Sequence, residues 1–239
     1  MRLILQATCR STPYSVNLSF PGTVSRSATP KLNAVARIYL MALMILSEEQ
    51  KDSRDGTWES LYPIRFLTEK EISDLEDPFE YLRFKEFYER DFVYEMMKLN
   101  QALTGYTTLD HVCGVHHLSV KIARQLKYAN VPIDLGRVSG AAAGHDVGKY
   151  GCRGDEIRRV AYYHYYYTGR WFEERGITYI RNVAINHSTW DLEVENLSLE
   201  SLVLIYCDFR VKSNDEGQMS FFTLKDSFQV ILDKLDNVD

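Results

Sequence analysis

Histidine and cysteine are scarce in this chain of 239 residues, which has six of the first and four of the second. Cys9, Cys113, Cys152 and Cys207 lie far apart and form no CxxC pair. That excludes a zinc ribbon and argues against a disulfide framework, so they read as reduced thiols of a cytoplasmic protein. Long apolar runs are also missing. The most apolar stretch, Ala34 to Leu46, is interrupted by Arg37 and is too short to span a bilayer. Met1–Leu5 is too short for the apolar core of a signal peptide, and Cys9-Arg10-Ser11 follows soon after it. An excess of basic residues is absent too: 28 Lys and Arg stand against 33 Asp and Glu, for a net charge of -5. This excludes a protein whose main task is gripping nucleic-acid phosphates, while leaving room for a local basic pocket. There is no internal repeat and no low-complexity segment.

What is present is a core-forming chain, 45% hydrophobic. Val16, Leu18 and Phe20 alternate as on a strand face, so the first twenty residues suit either a short β-hairpin or a partly ordered arm. Lys31 to about Glu49 reads as an apolar helix, followed by a charged loop over Lys51–Gly56. Thr68 with Glu71 fits a capping box for a short helix. Asp77-Pro78 fits an N-cap with proline at the first position of a long helix reaching about Leu103, ended by Gly105. Further helices are expected from Thr108, over Leu135–Val147, and over 155–167, 177–186, 199–213 and 223–236. Strand signals nearly vanish after residue 30. The predicted fold is mainly α. An extension over 1–77, irregular and then helical, completes the core of a helical domain over 78–239 whose last helix packs back. The ending Lys234-Leu235-Asp236-Asn237-Val238-Asp239 carries no Gly, Pro or polar tail, which suggests one domain of a larger polypeptide.

The few histidines are placed informatively. Ala141-Ala142-Ala143-Gly144-His145-Asp146-Val147-Gly148-Lys149 sets an adjacent His-Asp pair at the end of an apolar, small-residue helix. Buried charge is costly unless paired or bound to metal, and imidazole beside carboxylate suits a divalent cation. The bland alternative is a buried histidine hydrogen-bonded to its neighbour. His111 heads a helix in Leu109-Asp110-His111-Val112, and Asp208 sits in Ile205-Tyr206-Cys207-Asp208-Phe209. Between them lie His164 in Tyr163-His164-Tyr165 and His187 in Asn186-His187-Ser188. His116 and His117 do not repeat the face of His111 and read as structural or as supports behind the ligands.

This ordered set resembles the signature of the HD superfamily of metal-dependent phosphohydrolases, over about His111 to Lys212. The order His111, His145-Asp146, His164, His187, Asp208 is similar to the two-metal variant of that family. The resemblance implies a helical HD-type bundle holding one ion on His111, His145, Asp146 and Asp208. A second ion would sit on Asp146, His164 and His187, with Asp146 bridging. Manganese, iron, nickel or zinc suits such ligands. The implied activity is hydrolysis of a small phosphorylated substrate by a metal-activated water, with Asp146 and Lys149 in the catalytic machinery. Lys149, Arg210 and Arg153 are the expected substrate-binding cations. After His187 comes Ser188-Thr189-Trp190-Asp191 rather than a Gly-Tyr-Pro extension, which counts against a cyclic di-GMP phosphodiesterase. Two other readings stay open. The di-iron oxygenases of the superfamily share similar ligands and act on small polyols or phosphonates. A non-catalytic metal-binding module of a larger protein would keep the ligands without turnover.

Overall fold

Helical periodicity and capping chemistry account for most of what folds here. The computed structural model describes residues 61–188, 197–213 and 217–235. The expected N-terminal hairpin or arm, the helix from Lys31 and the charged loop lie outside the described residues, as does Trp190. The described chain is mostly helical: α1 (Glu69–Ser73), α2 (Pro78–Arg90), α3 (Val93–Thr104), α4 (Thr108–Tyr128), α5 (Leu135–Gly144), α6 (Val160–Glu173), α7 (Tyr179–Ile185), α8 (Leu199–Arg210) and α9 (Leu224–Leu235). Among the described residues the strands are β1 (Val211–Ser213) and β2 (Met219–Phe221), an antiparallel pair with Lys212 opposite Ser220. No described helix is long and apolar enough to cross a membrane. Cys113, Cys152 and Cys207 are buried free thiols.

Two caps form as their residues dictate. The Thr68 hydroxyl accepts from the Glu71 N–H while the Glu71 carboxylate accepts from the Thr68 N–H. Asp77 caps α2 through the Glu80 N–H, with Pro78 at the first position. Arg124 of α4 then grips the Glu71 carboxylate with two nitrogens at 2.6 and 3.0 Å, tying α1 to α4.

Four expectations need correction. The long helix from Pro78 is broken at Asp91–Phe92, where Phe92 takes a left-handed conformation with φ 52°. Its buried residues are Tyr81, Phe84 and Tyr88 before the break and Val93 and Met97 after it. The step of five from Tyr88 to Val93 is out of phase for a straight helix, and the break restores the phase. Second, α5 stops at Gly144 rather than continuing to Val147, and a 3-10 turn (Val147–Tyr150) follows. Third, a 3-10 turn over Gly154–Arg159 precedes α6, which continues to Glu173 rather than ending near 167. Fourth, α8 ends at Arg210, and the chain expected to stay helical becomes β1. There the Phe222 N–H donates to the Arg210 carbonyl at 2.7 Å, so backbone groups released by the helix end are paired across β1 and β2.

The core centres on α4 and α5, with α8 and α7 packed against them. The nine buried residues of α5 include Gly140, Ala141, Ala142, Ala143 and Gly144. A Cβ at Gly140 would meet Ile180 at 2.8 Å and one at Gly144 would meet Phe172 at 2.7 Å, so small residues let the neighbours approach closely. Phe84 packs edge-on to Phe66 and Trp171 and stacks on Phe172. Leu61, Ile64, Leu67 and Leu75, ahead of α2, are buried in the same core. That core surrounds the end of α5, where the His-Asp pair sits.

Candidate metal centre

Five elements converge on the pair. His111 stands in the first turn of α4, His145 and Asp146 directly follow α5, and His164 lies on α6. His187 is in a 3-10 turn (Asn186–Ser188) after α7, and Asp208 is in the last turn of α8. The turn carrying the pair is locked onto α6 by Thr168. Its hydroxyl donates to the His145 carbonyl and accepts from the Gly148 N–H, both at 3.0 Å. His145, Asp146, His164, His187 and Asp208 are all buried, His145 completely.

The tautomers follow from their partners. Each Nδ1 faces a backbone carbonyl: His111 that of Val211 at 2.9 Å, His145 that of Ala142 at 2.9 Å, His164 that of Val160 at 2.7 Å, and His187 that of Ala184 at 2.6 Å. A carbonyl can only accept, so each Nδ1 carries a hydrogen, and in the neutral ring Nε2 is left with its lone pair. Those lone pairs point together. Nε2 of His145 is 3.4 Å from that of His111, and Nε2 of His164 is 3.2 Å from that of His187. The carboxylates join them: His111 Nε2 is 2.9 Å from Asp208 Oδ1, and His145 Nε2 is 3.6 Å from Asp146 Oδ2 and 3.7 Å from Asp208 Oδ1.

Lone pairs facing one another at these distances repel unless a proton or a metal ion lies between them. Metal–nitrogen bonds of about 2.1 Å put neighbouring ligand atoms about 3.0–3.4 Å apart, close to the separations here. The donor set therefore fits divalent metal. Two groups could hold an ion: His111, His145 and Asp208, and His145, Asp146 and His187. The expected ligand His164 belongs to neither group, although it approaches His187 and, at 3.7 Å, Asp146 Oδ1 of the second. Asp146 thus turns Oδ2 toward His111, His145 and Lys149, and Oδ1 toward His164. His145 is shared more evenly between the two groups than its expected role on one ion implied.

Ionisation matches this chemistry. Burial holds the imidazole of His145 below its ordinary pKa and brings His164 and His187 down to about 4, keeping them neutral near pH 7. Burial works against the charged forms of Asp146 and Asp208. It is outweighed chiefly by Lys149 at Asp146 and by Lys212 at Asp208, so both carboxyls sit well below their usual range. Burial likewise opposes the ammonium of Lys149, but its pairing with Asp146 Oδ2 at 2.6 Å raises its pKa.

A cavity of about 390 Å³ opens onto the centre. His111, Asp146, His164, His187 and Asp208 line it together with Lys149, Lys212, Tyr106 and Tyr165. The Tyr165 ring lies against those of His164 and His187, with centroids 3.8 and 4.8 Å away. Two expected substrate cations are elsewhere. Arg210 is buried, donating from Nε to the Phe222 carbonyl at 2.5 Å and from its terminal nitrogen to the Tyr206 hydroxyl. Two residues past Asp208 on a helix is the far side, so its guanidinium points away from the ligands. Arg153 is exposed and borders a separate cavity with Asp91, Tyr150 and Trp171. Sequence reasoning passed over Lys212. Its place four residues after Asp208 was the available signal.

His116 is the structural histidine expected: it is buried and bonds Ser139 Oγ at 2.9 Å, which bonds the Tyr81 hydroxyl at 2.9 Å. His117 is exposed, near Phe221. No family model, no curated protein and no solved structure matches the chain.

Proposed function

We propose that this chain is a metal-dependent phosphohydrolase of the HD type, acting on a small phosphate ester in the cytoplasm. One observation carries the reading: four imidazoles, each fixed through Nδ1 by a backbone carbonyl, turn their Nε2 atoms toward two buried carboxylates. His111, His145, Asp146 and Asp208 would hold one divalent ion, and Asp146, His164 and His187 a second. When bound, such ions supply an activated water and a Lewis acid for the phosphoryl oxygens.

The chain's own residues supply the rest. Asp146 offers one oxygen to each half of the centre, which suits a shared ligand. Lys149 neutralises Asp146 and presents an ammonium to the cavity, where it can meet charge on a phosphoryl oxygen. Thr168 and Gly148 hold the His-Asp turn rigid, so the ligands need no rearrangement to bind. Tyr106 and Tyr165 give the cavity an aromatic wall for the organic part of the substrate.

The test pairs elemental analysis of the purified protein with a screen of phosphate mono- and diesters. Two metal equivalents and ester turnover lost in Asp146→Ala are expected. Iron with oxygen consumption on a polyol or phosphonate would replace the hydrolase with an oxygenase. A metal-replete, folded protein without turnover would leave a binding module.

A further inference from the structure

Among the residues lining the cavity, the cationic side chains are Lys149 and Lys212. They are not equivalent. Lys149 is committed to Asp146 at 2.6 Å. Lys212 has no carboxylate within ion-pair distance among the described residues, and its ammonium rests over the Phe209 ring, 5.2 Å from the centroid. Its backbone is held on both sides. The preceding carbonyl, of Val211, accepts from His111 Nδ1 at 2.9 Å, and Lys212 itself pairs with Ser220 across the two-stranded sheet. An ammonium with no direct carboxylate partner among the described residues is therefore anchored beside the ligand set, close enough to Asp208 to favour its ionised form, by the same strand that orients one of the ligands.

We propose that Lys212 is a substrate-binding residue and that it selects a phosphomonoester, whose terminal phosphoryl group is a dianion. The inference rests on the hydrolase reading above and adds a substrate class to it. The lining ammoniums and the lining carboxylates, Asp146 and Asp208, balance in charge while the imidazoles are neutral. Each divalent ion then adds its full charge to an otherwise balanced cavity. With the two ions proposed above, a monoester dianion offsets half of the added charge, whereas a diester monoanion offsets a quarter of it per phosphoryl group. The volume of about 390 Å³ is near the lower end for small-molecule sites, which suits one phosphoryl group with a modest organic substituent.

The test uses the manganese-loaded full chain with Lys212→Ala and Lys212→Arg. Inorganic phosphate binding is measured by calorimetry. Turnover is followed with 4-nitrophenyl phosphate and bis(4-nitrophenyl) phosphate, and metal content is measured throughout. Loss of one charge-assisted hydrogen bond predicts that Lys212→Ala binds inorganic phosphate about 10- to 100-fold more weakly. KM for the monoester should rise similarly with kcat little changed, the diester should suffer less, and metal content should be unaffected. Lys212→Arg should recover most of the loss. Unchanged phosphate affinity, equal losses for the two esters, or loss of metal in Lys212→Ala would overturn the assignment while the hydrolase reading stood. A metal-replete wild type that turns over neither ester would remove the hydrolase reading first, and this inference with it.

Discussion

Gly148→Ala puts the architecture of the centre under direct strain. A Cβ at that position would lie 1.9 Å from the His164 carbonyl oxygen, 2.3 Å from the Thr168 nitrogen and 2.6 Å from Thr168 Oγ1. Two of these are backbone atoms of α6, so no side-chain rotation relieves them. Reaching ordinary contact at 3.4 Å from 1.9 Å requires the turn and α6 to separate by about 1.5 Å. The hydrogen bond from the Gly148 N–H to Thr168, now 3.0 Å, stretches with that movement. Overpacking of this kind reaches about 3 kcal/mol, and the weakened hydrogen bond adds about 1 kcal/mol. For a chain of this size that corresponds to a fall in Tm of roughly 8–16 °C. The same displacement carries His164 away from Asp146 and His187, so the second metal equivalent should be lost preferentially. Urea and thermal unfolding of metal-free protein report the first effect, and elemental analysis after manganese loading the second. Gly154→Ala is the control: Gly154 has φ 56° but nothing within 4 Å of a Cβ, so only about 1 kcal/mol of left-handed strain is expected, with metal content intact. If Gly148→Ala stayed within about 0.5 kcal/mol of wild type and kept both equivalents, the close packing of the turn on α6 would not be what positions His164.

Burial holds His116 neutral, with its pKa lowered from 6.5 to about 3. The unfolded chain binds a proton below about pH 6.5 that the folded one refuses, so this contribution is complete above that pH and is lost as pH falls toward 3. Between pH 7 and 5, wild type should lose roughly 2 kcal/mol more than His116→Gln in urea unfolding, and equal losses would contradict the reading. Arg210→Met should destabilise by roughly 2–3 kcal/mol, because the Phe222 carbonyl and the Tyr206 hydroxyl lose a charged donor. Its affinity for inorganic phosphate should not change. A tenfold weaker affinity at unchanged stability would return Arg210 to the substrate.

Much of the local structure was legible because it rests on short-range chemistry. Thr68 with Glu71, and Asp77 with Pro78, specify their helix starts within one turn of chain. The small residues ahead of His145 announced a closely packed helix, and Ile180 and Phe172 occupy the space they leave. Helix ends were less legible. Nothing adjacent in sequence marks the break at Phe92, which depends on which faces of α2 and α3 meet the core. The end of α5 at Gly144 likewise depends on Thr168, some twenty residues away, taking up the His145 carbonyl and the Gly148 N–H.

The candidate ligands divide in the same way. Their identity and order, His111, His145-Asp146, His164, His187 and Asp208, stand in the sequence, because residue type alone decides which atoms can donate a lone pair. Their convergence is tertiary, since the Nε2 atoms come within 3.2–3.4 Å only when α4, α6 and the turns after α5 and α7 pack together. The choice of lysine over arginine beside Asp208 was tertiary as well. Composition offers both Arg210 and Lys212, but α8 ends between them. Arg210 is thereby turned into the protein and Lys212 carried onto a strand at the cavity. Residue chemistry is a property of each position, whereas the direction a side chain faces is set by contacts with distant parts of the chain.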